Sequence, residues 1–248
     1  DFNLERIGMK NIDLAPLKQS SGHVKELFSK SLADETAPRG SLGVDIGTHC
    51  IKIVRLESFK DSFKVLGFAV EKVVEKNYRD ALSKALVKAK VAAGENAVTS
   101  VSGQGVVSRY IELPQLSRSE LESSMKFEIE KYVPFPMAEV VSDYTIVHEM
   151  KDRAKLFILI AAAKTDLIQK KCNLAKEINL NLKAVDLDCL ALANFVIEIA
   201  PIQKKGACLG IVNIGKSVSS INILADGVPY LSRDIFVGGD DITKKISE

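Results

Sequence analysis

The chain has 248 residues, 46% of them hydrophobic, and a formal net charge of +2. That length can bury a sizeable core in one or two domains, and the near-neutral balance implies no strong nucleic-acid or membrane field. Trp is absent and the aromatics are scattered, so no base-stacking platform stands out.

The first ten residues, DFNLERIGMK, contain no apolar signal-like run, and Met9 is a candidate start behind a tag or fusion remnant. Residues 1–40 are polar, with KQSSG and ADETAPRG reading as loop or linker and HVKELFSKSL between them as a short amphipathic helix. Ordered structure is expected from Ser41. SLGVDIG, CIKIVRLES and SFKVLGFAV alternate apolar and polar residues between turn signals and predict three consecutive antiparallel strands. YRDALSKALVKAKVAAGE carries a helical period through Ala81, Leu82, Ala85, Leu86 and Ala89, and AVTSVSG returns as a strand.

An insert of different texture follows. GVVSRYIELP predicts a strand, and LSRSELESSMKFEIEKYVPFP a helix. Ser117 and Glu120 fit a capping box. Leu121, Met125, Ile129 and Tyr132 fall on one apolar stripe, and Pro134 and Pro136 stop the helix. AEVVSDYTIVHE and KLFILIAAAK read as two more strands; the latter holds the longest apolar run, far short of the ~20 residues of a membrane helix. The pattern then resumes. TDLIQKKCNLAKEINL is helical with Thr165 as expected N-cap, KAVDLD is a short strand, and CLALANFVIEIA is an apolar helix ended at Pro201. ACLGIVNIG, SVSSINILAD and GVPYLSRDIF are again three strands, and GGDDITKKISE starts a helix. Cys50, Cys172, Cys189 and Cys208 each lie in an apolar stretch without a C-x-x-C pair, so buried free thiols are expected. His23, His49 and His148 make no ligand pattern.

The strand triplet occurs twice. GVDIGTHCIKIVRL and GIVNIGKSVSSINIL superpose when Gly47 is laid on Gly215, an offset of 168 residues (215 − 47). Asp45 then falls on Asn213 and Thr48 on Lys216. Asp and Gly are ordinary turn formers. A bare turn between strands, however, presents backbone N–H groups that can hold phosphate oxygens, and glycine permits close approach. Two such turns facing each other would clamp a phosphate chain. Asp45 would hold a water-coordinated Mg²⁺, and Lys52 would neutralise the β- and γ-phosphates. The candidate nucleotide contacts are Asp45, Gly47, Thr48, His49 and Lys52, then Asn213, Gly215, Lys216 and Ser217, with Gly238 and Gly239 before the last helix.

The repeated turn resembles the phosphate loops of the actin and sugar-kinase superfamily. MKFEIEKYVPFPMAEVVSDY, residues 125–144, is similar to the signature segment of the PilM family, actin-like (FtsA-related) proteins of type IV pilus assembly. VDLDCLALAN and VGGDDITKKIS also resemble PilM stretches, so the likeness covers residues 41–248. The resemblance implies an α/β, actin-like ATPase fold with duplicated RNase-H-like subdomains. Subdomain 1A would be 41–103 and 164–200, interrupted by an SHS2-like subdomain 1C at 104–163; 2A would begin at 201, with 2B missing and the second half truncated. Residues 1–40 would be a flexible leader, although KNIDLAPLKQ superficially resembles the Asn-Leu-Leu-Pro tail of PilN and could occupy the same groove.

The family further implies a cytoplasmic scaffold that binds ATP and Mg²⁺ between its halves and the N-terminal tail of PilN in a groove between 1A and 1C. It would link to other pilus assembly proteins, bind no nucleic acid, reach the membrane only through partners and have the option of self-association. Asp188 lies where the superfamily often places the group that orients an attacking water; Asp186 and Asp188 as helix caps is the other reading. An extended tail can lie along a sheet edge. Phe127, off the apolar stripe, and Arg109, on the polar side of its strand, are the expected groove residues. Two departures bear on activity. Asn213 replaces the family's second acid, so hydrolysis is expected to be weak or absent. The sequence also ends 33 residues after Gly215 (248 − 215), before the family's adenosine-binding turn, which would weaken ATP binding by a fragment. An FtsA-like cell-division protein, a type II secretion relative and a sugar-kinase-type phosphotransferase are the alternatives.

Overall fold

The computed structural model describes residues 39–59, 62–150, 154–198 and 206–248. The readings made for residues 1–38 lie outside them. The chain opens with three strands, β1 (Arg39–Ile46), β2 (Cys50–Phe59) and β3 (Ser62–Lys72), joined as antiparallel neighbours. Helix α1 (Tyr78–Lys88) leads to β4 (Asn96–Val101), which lies parallel to β1. With β8 (Asn181–Leu187) parallel to β4, the mixed sheet has five strands in the order β3-β2-β1-β4-β8. Its alternating apolar side chains, among them Leu42, Val44, Ile51 and Ile53, face α1 and α3 (Thr165–Glu177) and bury Leu82, Ala85 and Ala175.

Between β4 and α3 the chain builds a separate three-stranded antiparallel sheet in the order β5-β7-β6, from β5 (Val106–Pro114), β6 (Val140–Met150) and β7 (Lys155–Lys164). Helix α2 (Arg118–Tyr132) covers one face, burying Leu121, Met125 and Ile129 against Ile158 and Ile160. The other face, through Val147, Phe157 and Leu159, meets Ala225 and Val228 of the chain's second half. Central strand β7 is therefore covered on both sides, which is why its sequence is a continuous apolar run rather than an alternation.

Helix α4 (Asp188–Glu198) precedes the second antiparallel meander: β9 (Cys208–Ile214), β10 (Ser219–Ala225) and β11 (Val228–Ile235), followed by α5 (Gly239–Ser247). Ala193 and Val196 of α4 seat on Leu224.

Within the described residues the expected elements are present in the order read from the sequence, with local corrections. The capping box forms as expected: Glu120 N–H donates to Ser117 Oγ, and Ser117 N–H to Glu120 Oε2. Thr165 is not an N-cap; Lys164 occupies that place with no side-chain capping bond. Tyr132 leaves the apolar stripe, 40% exposed, and Val133 is buried instead, because the chain turns extended at Val133 and folds that side chain inward. Of the four cysteines only Cys189 is buried; Cys208 is exposed because it alternates outward at the start of β9. Among the described residues no helix is long and apolar enough to cross a membrane.

Candidate functional site

The β1–β2 and β9–β10 turns have one geometry. Gly47 N–H donates to Cys50 O at 3.1 Å, and Gly215 N–H to Val218 O at 3.0 Å. Both close so tightly that a Cβ on Gly47 would lie 2.9 Å from the Cys50 carbonyl oxygen, and one on Gly215 2.7 Å from that of Val218. Among the described backbone carbonyls, none accepts a bond from the amides of Thr48, His49, Lys216 or Ser217. The two turns meet: Thr48 Oγ1 lies 3.3 Å from Ser217 Oγ, although 169 residues separate them in sequence.

Register builds the charged part of the site. Asp45 and Lys52 are direct partners across β1 and β2, so their side chains share a face, and Lys52 Nζ donates to Asp45 Oδ2 at 2.8 Å. This bond holds the Lys52 ammonium above the ordinary lysine value. Asp188, at the start of α4, accepts a bond from Ser102 Oγ at the end of β4. Its neighbour Asp186 accepts from the adjacent Leu187 N–H, and burial raises its carboxyl above the usual range. Among the described residues the partners of these two acids are thus a loop serine and a neighbouring amide rather than the first turn of the helix. Lys171 of α3 feels the charges of both Asp45 and Asp188, yet burial pushes its ammonium below the ordinary value. Cys189, nearby in the core, has its thiol pushed up to about 11 by burial.

Gly238 and Gly239 come back over the second turn. Gly239 N–H donates to Gly215 O at 2.9 Å and Asp240 N–H to Lys216 O at 3.0 Å, and Lys216 Nζ is 3.7 Å from Asp240 Oδ2. Asn213 stands exposed at the end of β9. The sequence-expected residues of the two turns and the final glycines therefore gather in one region. Missed by that reading are Lys171, Ser102 and Asp234, whose Oδ2 accepts from Gly103 N–H at 2.6 Å. The Ser-Gly pair closing β4 was the available signal, since ligand sites of parallel sheets lie off the carboxyl ends of their strands.

A second feature lies where the insert joins the main sheet. Glu139, Lys164, Thr165 and Asp166 line a cavity of about 390 Å³. The Lys164 ammonium sits 4.7 Å from the ring centre of Phe135, within YVPFP. Neither Arg109 nor Phe127 is among those four lining residues. Phe127 is 70% exposed, two residues from Met125 and from Ile129, hence about 200° round the helix from the buried stripe. Arg109 is half-buried, donates to Ser108 O, and its guanidinium pKa is lowered by desolvation and by Arg233.

Comparison with known proteins shows which family the chain resembles. The sequence model for the type IV pilus assembly protein PilM matches residues 43–248. A chain of the PilM-PilN type IV pilus biogenesis complex is similar in fold, with a TM-score of 0.74 and 20% identity, over 85% of this chain and 66% of that one. The cytoplasmic domain of EpsL, an inner-membrane component of the type II secretion system of Vibrio cholerae, is similar at a TM-score of 0.50 and 12% identity, over 80% of this chain and 71% of that one. The present chain thus spans just under two thirds of the matched chain from the pilus complex.

Proposed function

The chain belongs to the PilM family of type IV pilus assembly proteins, and from that premise we propose that it is an actin-like scaffold with two ligands, Mg·ATP between its two turns and the cytoplasmic N-terminal tail of PilN at the insert. The observation that carries the nucleotide reading is the pair of matched turns brought face to face by Thr48 and Ser217. Their amides, which no described backbone carbonyl engages, suit phosphate oxygens, the Asp45 carboxylate suits a hydrated divalent ion, and Lys52 supplies a cation beside it. Gly238 and Gly239 would close the same side. Bound Mg²⁺ would screen the phosphate charge; Lys52 would leave Asp45 for the phosphates. Asp188 is the candidate for orienting water. Asn213 offers an amide in place of a second carboxylate, so the role proposed is binding with slow or no turnover.

In this reading the main sheet with α1, α3 and α4 is subdomain 1A, the insert 1C, and the second meander the start of 2A. The solved complex unites PilM with PilN, and the cavity at Glu139, Lys164, Thr165 and Asp166 lies where 1C meets 1A. It supports a tail anchored there. The exposed Phe127 face of α2 is a second reading, favoured by an aromatic left bare among the described residues. The scaffold would work at the cytoplasmic face of the inner membrane, joined to it and to other pilus proteins through partners.

Titration of Mg·ATP into wild type, Asp45→Ala and Lys52→Ala tests the first site. Each variant should lose about 1.5–3 kcal/mol of binding, the range of a charge-assisted contact; equal affinity in all three would sink the cleft reading. Asn213→Asp should raise a near-zero ATP hydrolysis rate, and brisk turnover by wild type would return the protein to the enzymes. A labelled PilN-type tail titrated into Lys164→Ala and Phe127→Ala locates the second site, since affinity is lost only in the variant that lines it.

A further inference from the structure

Loop 102–105, which leads from β4 into the insert, is held from both halves of the molecule at once. Ser102 Oγ donates to Asp188 Oδ2 at the head of α4. The next residue, Gly103, donates its N–H to Asp234 Oδ2 on β11, 131 residues away. Gly103 adopts φ +88, a backbone conformation that suits glycine, and a Cβ there would lie 3.7 Å from Val218 of the second turn. Two residues on, Gly105 O accepts from Lys164 N–H at 2.8 Å, and Lys164 lines the cavity at the insert's base. One short loop therefore approaches the second turn at one end and is bonded to a residue that lines the cavity at the other.

Sheet register explains why Asp234 is the residue that reaches the loop. Asn213, Ser220 and Asp234 are direct partners across β9, β10 and β11, so their side chains share one face. The matching row of the first half is Asp45, Lys52 and Val70, with Lys52 and Ser220 related by the same offset of 168 residues (220 − 52). The first half carries its acid on the first strand. The second half carries Asn there and its acid on the third strand, where Gly103 takes it.

We propose that Asp234 is a positioning residue: its bond to Gly103 latches loop 102–105 to the second half and so couples ligand occupancy of the two-turn cleft to the shape of the cavity at Lys164. The coupling rests on the nucleotide-and-tail reading above; the latch does not. The test uses the full chain as wild type, Asp234→Ala and Asp234→Asn, the last keeping an acceptor without the charge. Amide exchange of residues 102–106 should quicken about tenfold or more in Asp234→Ala and less in Asp234→Asn, with α2 and β7 still protected. Unchanged exchange at residues 102–106, or a loss of protection spread through the whole insert, overturns the latch. Tail affinity is then measured with and without Mg·ATP. A nucleotide-dependent shift in wild type that shrinks in Asp234→Ala, while each ligand still binds alone, supports the coupling. Both ligands binding wild type without influencing each other, or a shift that survives in Asp234→Ala, overturns it. Wild type that binds neither ligand overturns the proposed function and the coupling with it, while the exchange result still decides the latch.

Discussion

Lys171 shows how burial and attraction compete at one side chain. Asp188 and Asp45 favour its charge, but desolvation is the larger effect and sets the ammonium below 10.5, the ordinary lysine value. Below the folded pKa both states are charged and the folded state bears the full desolvation cost. Between that pKa and 10.5 the unfolded chain holds the extra proton, so stability rises with pH. Lys52 behaves oppositely: its raised pKa makes a contribution that is present below 10.5 and lost only as pH climbs through the folded value. Lys171→Met should therefore melt higher than wild type near neutrality, and the gap between the two should close as pH approaches 10.5. A constant gap would assign the pH dependence to other groups.

At the scale of elements, helix ends and helix faces separate what is local from what is not. Helix α2 has its start written in Ser117 and Glu120, and the structure keeps that cap. The ends of α1 and α3 were harder to read because no glycine marks them. Lys90 and Asn179 instead adopt φ +55 and +56, and each following amide reaches back to the helix: Val91 N–H to Leu86 O, and Leu180 N–H to Ala175 O. A helical period continues past such a stop, so the sequence alone ran both helices too far. On α2, Met125→Ala should cost about 2–5 kcal/mol by opening the insert core, and Phe127→Ala less than about 0.5 kcal/mol. Denaturant midpoints of the two variants check the assignment; similar losses would make Phe127 a core residue.

At the scale of the whole molecule, the insert is fastened to the second half by a column of rings. Phe157 stacks on Tyr110 with centroids 5.4 Å apart and on Tyr230 at 4.9 Å. Phe157→Ala should cost about 3–5 kcal/mol, and amide exchange should then loosen the insert's sheet on its Tyr110 face while α2 keeps its own contacts. A small stability loss with unchanged exchange would mean that the insert rests on the first half alone.

Element order, the capping box and the repeated turn were legible in the sequence because each depends on neighbours a few residues apart: periodicity, a capping spacing, and glycines where the chain must turn tightly. Asp45 with Lys52 was legible too, since a hairpin register follows from its turn. The pairing of Ser102 with Asp188, of Gly103 with Asp234 and of Thr48 with Ser217 was not, because those partners lie 86, 131 and 169 residues apart and meet only when three sheets dock. The same docking decided where the cavity at Lys164 opens. Side-chain chemistry names the groups a site can use; the register of distant strands selects which of them face each other.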